Sequence, residues 1–334
     1  MSGLTTVTGG AGFIGGHLVE LLASRGEAVR VVERPGADTS HLPPGVEVVF
    51  ADVRRREGLD DALRGSRFVY HLAANPNLWA PDRAEFDAVN HRGTVHVLDA
   101  ALAAGAERIL HTSTESILTK AVASGPIDED VRIEESDAVG PYCLSKLRAE
   151  NYAMKLAREG KPVVVANPTM PVGPGDRGGS PPTRLIRDFC RGALPAVLDC
   201  TLNLIDVRDV ALGLTRVMEV GRAGKRYLLG GENLSLVELF GLLSEATGRP
   251  APRWRVPYAL GLGFAHLSEF WADHVSGRPP QASVTGLRLA RRLMHFDASR
   301  SLRELGLEPR PIRESVEEAV AWLQLPGAGG TIRG

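Results

Sequence analysis

The sequence is poor in cysteine and lysine, and it carries almost no net charge. Its 334 residues hold three cysteines, Cys143, Cys190 and Cys200, whose spacing fits neither a disulfide framework nor a metal-binding motif. We therefore expect no metal and a reducing, cytoplasmic location. The formal net charge of −1 provides no general positive field, so we expect no binding of nucleic acid.

Long hydrophobic runs and an N-terminal signal are also missing from the sequence. No apolar run reaches the length of a membrane-spanning helix, and the first motif starts too early for a basic and apolar signal segment. The most apolar late stretch is residues 256–267, which predicts a packed helix or a lid over a substrate. Peripheral contact with a membrane is the alternative.

Predicted strands and helices alternate along the first half of the chain. The strands are predicted at 4–8, 28–32, 46–50, 67–72, 108–113 and 163–167, and the helices at 13–22, 84–104 and 140–158. This order predicts an α/β fold, a Rossmann-type doubly wound parallel sheet with right-handed crossovers. A stretch rich in proline and glycine then leads into a smaller C-terminal substrate-binding region. We expect a dinucleotide-binding domain at 1–175 and the substrate region at 176–330, with segments near 200–230 returning to the first domain.

Three glycines separate the first predicted strand from the first helix. Gly9 permits a tight turn, Gly12 lets the backbone approach phosphate groups, and Gly15 lets the helix pack closely on the sheet. A pyrophosphate would then lie at the helix N-terminus. A chance glycine turn is the alternative in a chain with 37 glycines, but the flanking strand and helix favour a dinucleotide site.

The residues after the next two strands bear on which dinucleotide is bound. Glu33 can accept hydrogen bonds from the adenosine ribose and would repel a 2′-phosphate, whereas Arg34 can pair with that phosphate. We favour NAD because Glu33 holds the strand-end position, and NADP is the alternative. Asp52 can accept a hydrogen bond from the adenine amino group or can cap the following helix.

Tyr142 and Lys146 are four residues apart on a predicted helix, so both side chains project from one face. A phenol is a poor base at neutral pH, but a nearby ammonium favours its phenolate. Lysine can also hold the ribose hydroxyls of a cofactor. A chance Tyr-x-x-x-Lys pair is the alternative, and the scarcity of lysine makes it less attractive. Cys143 points to a different face of the helix, which disfavours a nucleophilic role.

A buried strand runs into the hydroxyl residues Thr112, Ser113 and Thr114. One hydroxyl can bridge a substrate oxygen and the Tyr142 phenol, or the group can simply cap the following turn. Ligands bind at the carboxyl ends of strands in doubly wound sheets, and all three motifs fall there.

These motifs together resemble the extended short-chain dehydrogenase/reductase family. The resemblance rests on the segments 8–15, 71–74 and 112–114, on Asn90, and on Tyr-Cys-Leu-Ser-Lys at 142–146. Within that family the chain most resembles the dihydroflavonol-reductase-like group and hopanoid-associated sugar epimerases, which are related to 3β-hydroxysteroid dehydrogenases. The finer resemblance rests on the segments 78–82, 167–174, 202–210 and 228–234.

The resemblance implies a role for each matching residue. Tyr142 would be the general acid/base, Lys146 its electrostatic partner and Thr114 the catalytic hydroxyl. Asn90 would hold the active-site helix or a proton-relay water. The implied cofactor-binding residues are Gly9, Gly12, Phe13, Ile14, Gly15, Glu33, Arg34, Asp52, Val53, Leu72, Ala73, Ala74, Asn90, Thr112, Tyr142, Lys146, Asn167 and Pro168.

Two positions depart from the patterns of related groups. Glu33 replaces the apolar residue that precedes arginine in NADP-dependent reductases, which puts their cofactor choice in doubt here. Sugar 4,6-dehydratases carry two acids after the catalytic threonine, whereas this chain has Glu115 and then Ser116. Dehydration is therefore disfavoured. Glu115 remains a candidate acid on the substrate side or a solvated carboxylate at a strand end.

We expect reversible hydride transfer at a secondary alcohol or ketone of a small, apolar polycyclic molecule, similar to a sterol or hopanoid. An NAD-dependent nucleotide-sugar epimerase is the alternative, and Arg184, Arg187 and Arg191 form either its diphosphate clamp or a solvated helix face. A third possible function is that of a non-catalytic dinucleotide sensor. Two long helices suggest a homodimer. The side chains that would line an apolar pocket, or be ordinary core, are Trp79, Met170, Phe264 and Trp271.

Overall fold

The computed structural model describes residues 3–119 and 125–325, and a parallel sheet of seven strands lies at its centre. The order across the sheet is β10, β6, β5, β4, β1, β2 and β3, and every neighbouring pair is parallel. In chain order the strands are β1 (Leu4–Thr8), β2 (Ala28–Glu33), β3 (Glu47–Phe50), β4 (Ser66–His71), β5 (Arg108–Thr112), β6 (Val163–Pro168) and β10 (Arg226–Leu229). The predicted α/β doubly wound class is confirmed.

Helices cover both faces of this sheet, as the continuous apolar character of its strands requires. One face packs against Leu18 of α1 and Leu214 of α7, and the opposite face packs against Leu98 of α4 and Ala153 of α5. The helices of this layer are α1 (Phe13–Ser24), α2 (Leu59–Ala62), α3 (Ala84–Phe86), α4 (Gly93–Ala103), α5 (Gly140–Arg158) and α7 (Val207–Val220).

Most of the elements that follow β6, all except α7 and β10, build a second region beside the carboxyl ends of the strands. Two small sheets lie here, β11-β9-β7 and β12-β8, while β10 joins the large sheet next to β6. The strands are β7 (Met170–Val172), β8 (Ala196–Val197), β9 (Thr201–Asp206), β11 (Glu232–Ser235) and β12 (Trp254–Arg255). The helices are α6 (Pro181–Cys190), α8 (Leu236–Thr247), α9 (Tyr258–Trp271), α10 (Val284–Ala290), α11 (Ser299–Leu305) and α12 (Ile312–Leu323).

The predicted long helix at 84–104 is present but not uniform. A π-helical segment, Asp87–Arg92, connects α3 to α4. Such wide turns often occur at functional sites, and this one carries the buried Asn90. Helical periodicity alone does not reveal the extra residue in the turn. The other predicted strands and helices of the first 168 residues match the structure to within two residues at each end.

The late apolar stretch forms the first part of α9, and its packing differs from the predicted one. Among the fourteen described residues of α9, Ala265 is the only buried one, so most of the helix faces outwards. One side of the helix packs against α10, as expected of a packed helix, whereas its outer face is exposed. In residues 3–119 and 125–325, no helix combines the length and the apolar composition needed to cross a bilayer.

Candidate active site

A cleft of about 840 Å³ runs along the carboxyl ends of the central strands. It brings together most of the residues that the motifs predicted, although they are spread over 160 positions of sequence. Those lining it are Gly9, Gly12, Phe13, Ile14, Gly15, Glu33, Arg34, Asp52, Val53, Leu72, Ala73, Ala74, Thr112, Thr114, Tyr142, Lys146 and Pro168. Asn90 and Asn167 are fully buried behind the walls and support other residues.

The glycine turn at one end of the cleft is packed as a pyrophosphate cradle. Gly9 has a φ of +74°, and a Cβ there would lie 2.7 Å from the nitrogen of Ala73. A Cβ at Gly15 would lie 2.1 Å from the carbonyl oxygen of Gly9, so glycine allows α1 to approach the turn. Gly12 caps α1 without a side-chain hydrogen bond. The first-turn N–H groups are thus free of a competing side chain, and the turn fits the phosphates of a dinucleotide.

Glu33, Arg34 and Asp52, which were predicted to contact the adenosine, line the cleft together. Glu33 Oε1 accepts a hydrogen bond of 2.8 Å from the backbone N–H of Ala11, which fixes the carboxylate beside the glycine turn. Arg34 is exposed at the rim. Asp52 accepts a 3.0 Å bond from the Arg54 N–H and pairs with its guanidinium at 2.5 Å, which lowers the pKa of the carboxyl. Asp52 therefore closes a turn while it lines the cleft.

Tyr142 and Lys146 project together from α5 into the middle of the cleft, as the i,i+4 spacing predicts. Lys146 is 4% exposed, and its Nζ donates a 2.7 Å hydrogen bond to the carbonyl oxygen of Thr112. That contact anchors α5 to the end of β5. The Tyr142 ring packs edge-on against Phe86, and its hydroxyl lies beside Thr114.

A chain of hydroxyl contacts continues from Tyr142 towards Glu115. Thr114 Oγ1 donates a 2.7 Å hydrogen bond to Glu115 Oε2. Burial raises the pKa of Glu115, which is half-buried and lines the cleft. Burial, and then the Glu115 charge, also raise the pKa of Tyr142. The Thr114 hydroxyl has a single proton, so it can donate a hydrogen bond either to Glu115 or to a Tyr142 phenolate, and not to both at once.

Burial lowers the pKa of Lys146 to about 8, although Glu150 opposes the shift. We expect Lys146→Met to raise the free energy of unfolding by about 1–3 kcal/mol near neutral pH. Between pH 8 and 10.5 the unfolded lysine keeps a proton that the folded one has lost, so wild-type stability increases across this window. The advantage of the variant should therefore shrink as pH rises. Urea unfolding near neutral pH and at about pH 10 measures both effects, and a less stable variant at neutral pH would contradict them.

Asn90 connects the loop after β4 to the active-site helix. Its Oδ1 accepts a 2.7 Å bond from the Asn75 N–H, and its Nδ2 donates to Asn75 O and to Ser145 Oγ, each at 3.1 Å. Ser145 precedes Lys146 on α5. Asn90 thus ties the cleft wall to α5.

The motif search missed Glu150, which lies four residues after Lys146 on the same helix face. Glu150 Oε2 accepts a 2.7 Å bond from Asn167 Nδ2, and its Oε1 pairs with buried Arg226 at 2.5 Å. Asn167 Nδ2 also donates to Thr114 O at 3.1 Å. The sequence feature that could have identified Glu150 is its spacing of four residues from Lys146, the same spacing that separates Lys146 from Tyr142. This network holds β5, β6 and β10 in position around Thr114 and Lys146.

Two buried histidines were also missed beneath the site. The rings of His71 and His111 stack with centroids 5.6 Å apart. Burial, together with the Lys146 charge, lowers the pKa of His71 to about 3 and that of His111 well below its ordinary value. Both imidazoles are therefore neutral, and His71 joins Thr8 of β1 to Thr94 of α4. The sequence feature that could have identified these histidines is their position at the ends of two predicted strands.

The cleft wall next to Tyr142 is apolar. Leu78, Leu289 and Met294 belong to the same hydrophobic cluster as the Tyr142 ring, and Met170 and Leu202 also line the cleft.

Three of the four predicted pocket side chains do not line the cleft, and only Met170 does. Phe264 and Trp271 are exposed on α9, and Trp79 is buried with its Nε1 donating a 2.8 Å bond to Asp273. Arg184 donates to Asn77 Oδ1 at 3.0 Å, and Arg191 is exposed. Of the described residues that line the cleft, none is Arg184, Arg187 or Arg191.

The fold and the site together define a Rossmann-type enzyme that uses a nicotinamide dinucleotide. Residues 5–230 match the NAD-dependent epimerase/dehydratase family, and the chain belongs to this family. NAD is accordingly its cofactor, and the suspected extended short-chain dehydrogenase/reductase family is confirmed.

The chain is similar over nearly its full length to several known proteins. It is 35% identical to a putative dihydroflavonol 4-reductase of Synechocystis sp., covering 96% of this chain and 94% of that protein. It is 33% identical to sterol demethylase protein B of Methylococcus capsulatus, covering 97% and 99%. The crystal structure of gox2253 shares 35% identity with a TM-score of 0.84, covering 96% and 98%.

Proposed function

We propose that this protein catalyses reversible, NAD-dependent hydride transfer at a secondary alcohol or ketone of an apolar, polycyclic substrate of the sterol or hopanoid type. The observation that carries the proposal is the continuity of the Tyr142 ring with the apolar wall formed by Leu78, Leu289 and Met294. A substrate oxygen placed at Tyr142 and Thr114 would therefore have its carbon skeleton against apolar side chains. The similarity to a sterol demethylase protein supports this substrate class.

The residues present fit an NAD molecule along the cleft. The glycine turn would hold the pyrophosphate, Glu33 the adenosine ribose and Lys146 the nicotinamide ribose. The hydroxyls of Thr112 and Ser113 are buried without a hydrogen-bond partner in the described structure, and both line the cleft. Such unpaired groups favour a polar ligand. When bound, NAD supplies the hydride acceptor.

The protein's own residues manage the proton and the substrate oxygen. Tyr142 as phenolate takes the hydroxyl proton of the alcohol, and Lys146 favours the phenolate by its charge. Thr114 donates a hydrogen bond to the oxygen as it becomes a carbonyl. In the direction of reduction, Tyr142 returns the proton to the oxygen of the ketone.

The test is a comparison of substrate classes with purified protein and NAD. Polycyclic secondary alcohols dispersed in detergent are expected to reduce NAD, with the matching ketone as product. The same mixture is assayed with nucleotide sugars. Interconversion of a nucleotide sugar without net NADH formation, and no reaction with any polycyclic alcohol, would replace this proposal with the epimerase alternative.

The position of Glu33 leads to a prediction about cofactor choice. In Glu33→Gln the negative charge beside the ribose site is removed, while the amide oxygen can still accept the Ala11 N–H. We expect affinity for NADP to rise by roughly tenfold, because Arg34 can then pair with the 2′-phosphate without a competing carboxylate. Calorimetric titration with both dinucleotides measures the change. Glu20→Gln, on the exposed side of α1, is the control for loss of charge, and equal NADP affinity in the two variants would refute the role of Glu33.

A further inference from the structure

The outer face of α9 is a continuous exposed stripe of large apolar side chains. Its members, which we call the α9 stripe, are Leu260, Phe264, Leu267, Trp271 and Val275, exposed by 68%, 51%, 71%, 60% and 57%. Their spacing of three or four residues places them along one side of the helix and its π-helical extension, Ala272–Ser276. Phe270 and Trp254 add further exposed aromatic surface nearby in sequence.

This exposure is concentrated rather than scattered. Nine large apolar side chains of the described chain are more than half exposed, and seven of them lie between residues 254 and 275. The opposite side of α9 is packed, since Leu262 and Ala265 contact the cluster of Val284 and Leu287 on α10. The stripe is therefore the free side of a firmly seated helix, and contiguous exposed apolar surface of this kind marks an interaction site.

The segment that contains the stripe is rich in arginine. Residues 251–295 contain six arginines and two acidic residues, in a chain whose formal net charge is −1. Five of these arginines are exposed: Arg253, Arg255, Arg278, Arg288 and Arg291.

Both acidic residues of the segment are already engaged. Glu269 accepts a 2.8 Å bond from the Val284 N–H, and Asp273 accepts bonds from Trp79 and Arg83 at 2.8 and 3.1 Å. Arg83 lies within ion-pair distance of both carboxylates, and the six arginines of the segment outnumber its two acids, so the balance of charge is positive.

We propose that the α9 stripe docks the protein on the surface of an anionic lipid bilayer. Helices that lie in the plane of a bilayer interface combine Trp, Phe and Leu on one face with basic residues. Here the apolar face belongs to α9, and the arginines lie in the segments before and after it. A second copy of the chain fits less well, because a symmetric contact would bring two arginine-rich rims together. Each exposed arginine near an anionic membrane adds to the attraction, and salt screens it.

The docking surface is separated from the cleft wall by α10 alone. On α10, which packs directly beneath α9, Gly286, Leu289 and Ala290 line the cleft. Packed helices are separated by about 8–10 Å, so the stripe lies one helix away from the cleft wall. Arg83, close in sequence to the cleft residue Leu78, holds Asp273 at the end of α9. Docking would bring the apolar end of the cleft to the membrane surface, so that a lipid-dissolved alcohol reaches Tyr142 without crossing water. This delivery role rests on the proposed function, whereas the docking itself does not.

Vesicle flotation tests the docking in the absence of any substrate. The full-length protein is mixed with vesicles of phosphatidylcholine, with or without phosphatidylglycerol. We expect binding to the anionic vesicles, with weaker binding at high salt. The double variant Leu267→Ser/Trp271→Ser should reduce the partition coefficient by roughly 10- to 100-fold. The matched control is Val220→Ser/Val237→Ser, which removes two half-exposed apolar side chains from other surfaces. NAD affinity should be the same in both variants, which shows that both are folded.

Three outcomes would overturn the docking: no binding of the wild type to anionic vesicles at low salt, equal binding of the two double variants, or a dimer that dissociates only in Leu267→Ser/Trp271→Ser. The delivery role has a separate readout. The same double variant should slow turnover of a vesicle-embedded alcohol by about tenfold and leave turnover of the detergent-dispersed alcohol unchanged. Binding without any turnover would refute the substrate proposal and leave the docking intact.

Discussion

Tyr142→Phe is expected to lower kcat by about 10²- to 10⁴-fold while the affinity for NAD stays nearly unchanged. The phenyl ring keeps its packing against Phe86 and the apolar wall, so the shape of the cleft is preserved. What disappears is the oxygen that accepts the substrate proton. No other group that lines the described cleft combines contact with Thr114 and a position on the Lys146 face of α5. Steady-state kinetics with the alcohol and calorimetric titration with NAD separate the two effects.

The same helix offers a matched control for this substitution. Tyr152 lies on α5, and its hydroxyl donates a 2.5 Å bond to Asp99 of α4, away from the cleft. Tyr152→Phe should keep kcat within about twofold of the wild type. An undiminished kcat in Tyr142→Phe would eliminate the proposed mechanism. A large loss of NAD affinity in Tyr142→Phe would instead show that the phenol binds the cofactor and does not act mainly in proton transfer.

The second large effect concerns Gly15. A methyl group at this position would lie 2.1 Å from the Gly9 carbonyl oxygen and 2.8 Å from the Cα of Gly10, and both of these atoms belong to the backbone. Neither can rotate away, so α1 must move from the turn. We expect Gly15→Ala to reduce NAD affinity at least about 10-fold and the free energy of unfolding by about 2 kcal/mol or more, because overpacking forces backbone shifts. Calorimetric NAD titration and urea unfolding measure these losses.

The adjacent residue provides the control. A Cβ at Gly16 would meet its nearest neighbours, the Gly10 oxygen and a His41 ring nitrogen, at 4.0 Å, which is ordinary contact. Both glycines lie in α1, so both substitutions change intrinsic helix propensity alike. Gly16→Ala should therefore leave NAD affinity intact and match or exceed wild-type stability. If the two variants behave alike, the close approach at Gly15 does not support the cofactor site.

Local pattern was sufficient to predict the central sheet and the helices packed on it. The strands β1, β2, β5 and β6 are short apolar runs, and α1 and α5 show helical periodicity. Strands and helices that alternate along the chain can form only a few sheet topologies, because the crossovers between parallel strands are right-handed. Because strand ends meet at one edge of such a sheet, most of the motif residues were expected to share a cleft, as they do.

Several features of the site could not be predicted from the sequence. The π-helical turn at Asn90 depends on bonds to Asn75 and Ser145, which are 15 and 55 residues away. The roles of Glu150 and Arg226 depend on a contact across 76 residues. In the sequence Glu115 is a carboxylate that follows a strand, and only the tertiary structure shows that partial burial raises its pKa. Each of these depends on neighbours distant in sequence.

The amino-acid sequence by itself determined the fold class, the glycine turn and the pairing of Tyr142 with Lys146, because spacing along a strand or helix sets which side chains share a face. Only the tertiary structure decided which predicted residues line the cleft, which support it from behind, and that the apolar α9 faces outwards. The physical reason is that burial and charge environment are properties of the assembled layers. A stretch such as 256–267 has the same apolar composition whether a second layer covers it or leaves it at the surface.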